Sequence, residues 1–133
     1  MSKSAPGYQR ALAGELKKRL AEPRRWIQIV TGARQVGKTT LVQQVTEALD
    51  LPVRYASADE PALRDREWLV SQWEAARFEL AAAGGILVLD EIQKVEQWSE
   101  TVKRLWDEDS REARPLKVVL LGSAPLLLQQ GLT

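Results

Sequence analysis

Residues 32–39 read Gly32-Ala33-Arg34-Gln35-Val36-Gly37-Lys38-Thr39, the pattern G-x-x-x-x-G-K-[ST]. That pattern works only in one kind of structural setting. Its backbone amides close around an anion, so a strand must anchor its start. A helix must then begin at its end, with free N–H groups pointing at the same anion. The flanks supply both. Trp26 to Thr31 (WIQIVT) is a short apolar run with β-branched residues and reads as a buried strand. Lys38 to Leu49 reads as a helix with Leu41, Val42, Val45, Ala48 and Leu49 on one face. Gly32 and Gly37 permit backbone conformations that a Cβ would resist, and let the amides approach the anion.

The rest of the chain repeats the alternation. Leu12, Leu16 and Leu20 recur every fourth residue in a helix predicted from Tyr8 to Glu22, which Pro23 closes. After Leu51-Pro52, Val53 to Ala58 forms a second strand. Asp65 caps a helix that runs to about Ala83, with Leu69, Trp73, Ala76 and Leu80 as its apolar stripe, and Gly84-Gly85 ends it. Ile86 to Leu89 is a third strand. A helix follows from about Glu96 to Asp109, bearing Trp98, Val102, Leu105 and Trp106. Leu116 to Leu121 is a fourth strand, and about Pro125 to Gln130 a last short helix. Strands alternating with helices call for a parallel sheet of about four strands covered on both faces, a three-layer α/β core formed by residues 1–133 as one domain. The five tryptophans fall mostly on apolar stripes and read as core.

Composition narrows the chemistry. The chain has neither Cys nor His, which removes thiol catalysis, disulfides, imidazole acid–base chemistry and the usual zinc sites. It has no apolar run long enough to span a membrane, and a cytoplasmic location is expected. Net charge is +1 but uneven: residues 1–40 carry nine Lys/Arg and two Asp/Glu, and the remainder ten and sixteen. A basic beginning attracts nucleic acid by charge. It equally serves as a solvated helix face plus the lysine of the loop.

The chemistry rests on three places. In the loop, Gly32 to Gly37, with Lys38, Thr39 and Thr40, would cradle the phosphates of a nucleotide. Lys38 supplies a mobile charge for the β- and γ-phosphates and Thr39 a hydroxyl for Mg²⁺. Arg34 faces a phosphate, a partner subunit or solvent. In Ile86-Leu87-Val88-Leu89-Asp90-Glu91, four apolar residues precede two carboxylates. Asp90 would hold Mg²⁺ through its water shell, and Glu91 would accept a proton from, or orient, the attacking water. A parallel sheet brings the carboxyl ends of its strands to one rim, which places the acids beside the loop. Ser123 ends the fourth strand at that rim. Its hydroxyl either bonds the γ-phosphate or attacking water, or caps the helix that Pro125 begins. Asp59 closes the second strand as a turn former or a further rim residue.

Taken together, G-A-R-Q-V-G-K-T-T, I-L-V-L-D-E-I-Q and V-V-L-L-G-S-A resemble the AAA-like P-loop ATPases of bacteria and archaea that carry an uncharacterised C-terminal domain. The resemblance runs from about Gln9 to the end of the chain. It implies a P-loop NTPase core in which the sensor strand lies between the P-loop strand and the acid-bearing strand. It also implies Lys38 and Thr39 as phosphate and magnesium residues, Asp90 and Glu91 as metal and catalytic acids, and Ser123 as sensor. Members of that family continue past the position of Thr133. The expectation is therefore an N-terminal part that stops before a fifth strand, an arginine-bearing segment and a second domain, with self-association through the edge thus exposed. The leading reading is an ATP- and Mg²⁺-dependent hydrolase. An ATP-binding switch with little turnover and a DNA-associated ATPase are the alternatives. The chain contains no Asn and so lacks the usual guanine reader of GTPases. Lys38→Ala should lower ATP affinity about tenfold or more, the worth of a charge-assisted phosphate contact. Calorimetric titration checks this, and unchanged affinity in a folded variant would remove the phosphate-loop assignment.

Overall fold

The computed structural model describes residues 7–31, 38–59, 65–80 and 84–122, with the side chains of residues 7–10 and 38 outside that description. Its elements are α1 (Gly7–Ala21), β1 (Gln28–Thr31), α2 (Lys38–Leu49), β2 (Val53–Ser57), α3 (Arg66–Leu80), β3 (Gly85–Asp90), a 3₁₀ turn (Ile92–Lys94), α4 (Trp98–Arg111) and β4 (Leu116–Gly122). The four strands form one sheet in the order β1-β4-β3-β2, and every pairing is parallel. The acid-bearing strand β3 is thus separated from β1 by β4, as the family resemblance implies.

Alternation of side chains along the central strands builds two cores. Ile86 and Val88 of β3, with Val119 and Leu121 of β4, face α1 and α2, where Leu16, Leu20, Leu41, Val42 and Val45 cover them. Leu87 and Leu89, with Leu116, Val118 and Leu120, face α3 and α4, where Leu69, Trp73, Leu80, Trp98, Val102 and Leu105 cover them. Both faces of β3 and β4 are therefore dry, which is why these strands read as unbroken apolar runs. β2 and β1 are the sheet edges among the described residues, and Val53, Tyr55 and Ile29 are exposed on them.

Helix ends follow local signals. Asp65 caps α3 as expected, its Oδ1 accepting from the Trp68 N–H at 2.8 Å. Gly84 takes φ +77°, and a Cβ on Gly85 would lie 2.8 Å from the Pro52 carbonyl oxygen, so β3 starts in tight contact with the entry to β2. Several expectations need correction. The first strand begins at Gln28 rather than Trp26, and Trp26 is 64% exposed rather than core. Arg25 lies over its ring instead of an apolar partner. Ala48 faces solvent, while Thr46 takes the buried position by donating its hydroxyl to the Gln43 carbonyl. α4 begins at Trp98 rather than Glu96, because the 3₁₀ turn and a left-handed Gln97 intervene. The expected helix at 125–130 lies outside the described residues.

The amino-terminal pole of the sheet is locked by charge. Asp109 of α4 is fully buried. It accepts from Trp73 Nε1 (2.8 Å), Arg77 Nε (2.7 Å) and Arg114 Nη1 (3.0 Å). Arg24 crosses beneath β4 and donates to the carbonyls of Leu116 (2.7 Å) and Trp106 (3.0 Å) and to Ser110 Oγ (2.8 Å), its guanidinium 3.5 Å above the Trp106 ring. Removing one member of a buried ionic network leaves the others desolvated and unpaired. Asp109→Ala should therefore cost about 3–5 kcal/mol of unfolding free energy. Urea unfolding followed by tryptophan fluorescence measures this, and a loss under about 1 kcal/mol, the range of a surface pair, would contradict it.

Candidate nucleotide and magnesium site

All four strands deliver their carboxyl ends to one rim, and among the described candidates Thr39, Asp90, Glu91 and Asp59 stand there. Gly122 ends β4 beside Thr31, the last residue before the glycine-rich loop, and Asp90 ends β3 beside Ser57. Asp90 shares the sheet face of Ile86 and Val88, the face covered by α2. Thr39 in the first turn of α2 therefore meets it: Thr39 Oγ1 donates to Asp90 Oδ2 at 3.0 Å. The end of the loop motif and the end of the acid motif, 51 residues apart in sequence, are in direct contact.

Two further donors fix the same carboxylate. The Glu91 N–H donates to Oδ1 at 2.8 Å. The Tyr55 hydroxyl, from β2, donates to Oδ2 alongside Thr39. Burial, followed by the hydrogen bond to Asp90, pushes the Tyr55 phenol up to about 12, so it keeps its proton and acts as donor at neutral pH. All three donors are neutral, so none of them pairs the carboxylate with a positive charge.

Glu91 leaves the strand abruptly. Its backbone is left-handed (φ 55°, ψ 39°), a conformation that costs a non-glycine residue about 1–2 kcal/mol. The turn has a clear consequence. Continued alternation would aim Glu91 at the face of Leu87 and Leu89, an apolar layer. Turned out of the strand, its Oε1 accepts from Gln93 Nε2 at 2.8 Å and lies 4.0 Å from Lys94 Nζ. Lys94 also pairs with Asp59 beyond the end of β2. Asp59 thus stands at the rim, and its N–H donates to Ser57 Oγ at 3.1 Å.

Magnesium takes oxygen ligands and completes its shell with water and phosphate rather than with an all-protein cage. Thr39 Oγ1 and Asp90 Oδ2 are such a pair of oxygens. No group of three or more carboxylates gathers elsewhere among the described residues to hold a metal without a nucleotide. These residues fit a magnesium ion that arrives with phosphate. Thr40 is exposed on α2. Gly32, Ala33, Arg34, Gln35, Val36, Gly37 and Ser123 lie outside the described residues, as does the side chain of Lys38.

Sequence reading did not find Tyr55, Gln93 or Lys94. For Tyr55 the parity of β2 was a usable signal. Val53, Tyr55 and Ser57 alternate onto the face that carries Asp90 on the neighbouring strand, but the strand order had to be known first. Gln93 and Lys94 became visible only with the left-handed turn.

The sequence profile of the AAA domain family matches residues 24–133. No curated protein matches the chain. Among solved structures, Thermotoga maritima RuvB superposes with a TM-score of 0.61 at 19% identity, over 92% of this chain and 39% of that one. The P-loop NTPase domain of the sigma-54 transport activator from E. coli superposes with a TM-score of 0.55 at 18% identity, over 85% of each chain. AMPPCP-bound DnaA from Aquifex aeolicus does so with a TM-score of 0.53 at 18% identity, over 92% of this chain and 40% of that one. At these identities the likeness is one of fold, and this chain spans about two fifths of the RuvB and DnaA chains. No helix among the described residues is long and apolar enough to cross a membrane. The matched segment takes in all four strands, the glycine-rich loop and both acids, and the chain belongs to the AAA domain family of P-loop ATPases.

Proposed function

We propose that the chain binds ATP with magnesium and hydrolyses the β–γ phosphoanhydride bond. The observation that supports this most is the 3.0 Å contact between Thr39 and Asp90, which joins the loop motif to the acid motif at one rim. Amides of Gly32 to Gly37 and the amino-terminus of α2 hold the phosphates, with Lys38 as the mobile cation. Thr39 and Asp90 hold the magnesium ion, which when bound neutralises charge developing on the phosphate oxygens. Glu91 takes the proton of the attacking water or orients it, and Ser123 is proposed as the polar contact to the γ-phosphate. AMPPCP in the DnaA structure is an ATP analogue, and it supports ATP as the nucleotide.

Glu91→Gln keeps size and hydrogen-bonding capacity but cannot accept a proton. It should retain ATP binding and lower hydrolysis about 10²-fold or more. Equal phosphate release by wild type and variant would remove Glu91 from the base role.

A second reading, an ATP-binding switch with little turnover, draws on a specific contact. The Glu91 carboxylate is already engaged by Gln93, and Lys94 stands beside it. The arginines with defined contacts are also occupied elsewhere. Arg19 pairs with Glu15, Arg24 binds β4 and α4, Arg25 lies over Trp26, Arg54 pairs with Glu79, Arg77 and Arg114 with Asp109, and Arg104 with Glu108. An arginine at the γ-phosphate is worth about 10³–10⁵ in rate in phosphoryl-transfer enzymes. Steady-state phosphate release by the 133-residue chain should accordingly fall well below about 10 per second. Brisk turnover by a monomer, with mass checked by light scattering, would contradict both this expectation and the switch reading.

A further inference from the structure

We propose that Tyr55 is a positioning residue for the magnesium site, its hydroxyl setting the orientation in which the Asp90 carboxylate meets the metal. The inference rests on the reading of Thr39 and Asp90 as the magnesium residues, and concerns how that pair is held.

The geometry carries the argument. Asp90 Oδ2 accepts two hydroxyl protons, from Thr39 and from Tyr55, while Oδ1 accepts the Glu91 N–H. The two hydroxyls come from elements of different character. Thr39 stands in the first turn of α2, directly after the loop that must accommodate the nucleotide. Tyr55 stands in the middle of β2, held to β3 by the parallel ladder from Val53–Ile86 to Ser57–Asp90. The Glu91 N–H holds Oδ1 only, and the terminal torsion of an aspartate is broad, so without Tyr55 the placement of Oδ2 would depend on Thr39 at the end of the loop. The contact from β2 ties it to the sheet.

Packing does not account for a tyrosine at this position. The residue is 43% exposed on the sheet edge, where it lines, with Val42, Thr46, Leu51, Val53 and Val88 among others, an open groove of about 340 Å³ between β2 and α2. The ring is not buried there, and its hydroxyl is engaged at the rim, by Asp90 and Thr39. The choice of donor also matters. A lysine or arginine would hold the carboxylate equally well, but would cancel its charge and repel a divalent cation. A phenol supplies direction and leaves the charge to the metal. Groups of this kind, which orient a metal-binding carboxylate without touching the ion, typically contribute 10–100-fold to metal affinity.

Tyr55→Phe keeps the ring and removes the hydroxyl. The test is calorimetric ADP binding by the 133-residue chain, in EDTA and across a Mg²⁺ titration. ADP affinity in EDTA should stay within about twofold of wild type, while the Mg²⁺ concentration that gives half of the metal-dependent tightening should rise about tenfold. A Mg²⁺ midpoint equal to that of wild type would overturn the proposal. So would equal weakening with and without Mg²⁺, which would mark Tyr55 as merely structural. If wild type itself gains no ADP affinity from Mg²⁺, the assignment of Thr39 and Asp90 fails first and the role of Tyr55 falls with it. The wild-type titration therefore separates the two failures.

Discussion

Two carboxylates placed at the end of a fully buried strand set the conditions that the surrounding structure must meet. All six residues of β3 are buried, and Asp90 and Glu91 are only 8% and 7% exposed. Charged groups so placed are tolerated only when hydrogen-bonded. The donors come from four directions: Thr39 from α2, Tyr55 from β2, the Glu91 amide from the strand end itself, and Gln93 from the 3₁₀ turn. The last two are local to the strand end, but the hydroxyls of Thr39 and Tyr55 reach Asp90 only because β2 lies beside β3 in parallel and α2 covers that face. The strand order β1-β4-β3-β2 is thus tied to the chemistry at the rim: it flanks β3 with β2, the source of the tyrosine, and with β4, whose end lies level with the end of β1.

The opposite pole shows what a purely structural buried carboxylate looks like. Asp109 is as inaccessible as the rim acids, but its partners include two guanidiniums, Arg77 and Arg114, besides the Trp73 indole. Its charge is cancelled locally, and it serves to tie α3, α4 and the approach to β4 together. The donors to Asp90 among the described residues are all neutral. Both carboxylates are buried and hydrogen-bonded, but only Asp109 is paired with guanidiniums among the described residues. That contrast, more than burial itself, distinguishes the end of the sheet proposed to bind from the end that holds.

Much of this was legible in the sequence, for reasons that can be named. The glycine-rich loop declares its own flanks, and β3 and β4 show themselves as unbroken apolar runs because both their faces are covered. The stripe Leu69, Trp73, Ala76 and Leu80 fixed α3 because a helix on a dry sheet must bury one side. Other features depended on pairing at long range. Asp109 reads as an ordinary polar residue on α4 until Arg77 and Trp73 are brought against it from α3. Trp26 looks like strand core until Arg24 and Arg25 are seen to carry the chain across the pole before β1 begins. Tyr55 has the side chain that an edge strand favours anyway, so nothing local marks its hydroxyl.

The left-handed turn at Glu91 shows how backbone and site depend on each other. Strand alternation gives two adjacent acids opposite faces, so one of them must enter the apolar layer beneath α3 and α4 unless the strand stops between them. It stops at the second acid, at a conformational cost of about 1–2 kcal/mol. A glycine there would relieve the strain but would carry no carboxylate. An asparagine would tolerate the turn but would supply no base. Asp50, Gln97 and Ala113 are also left-handed, so the strain alone does not mark Glu91; what sets it apart is a buried carboxylate at the end of β3, which fits the role proposed for it. The same turn starts the 3₁₀ segment, brings Gln93 and Lys94 onto the Glu91 carboxylate, and leads into α4, whose other end carries Asp109. One strained residue thus links the acid pair to the helix that locks the opposite pole.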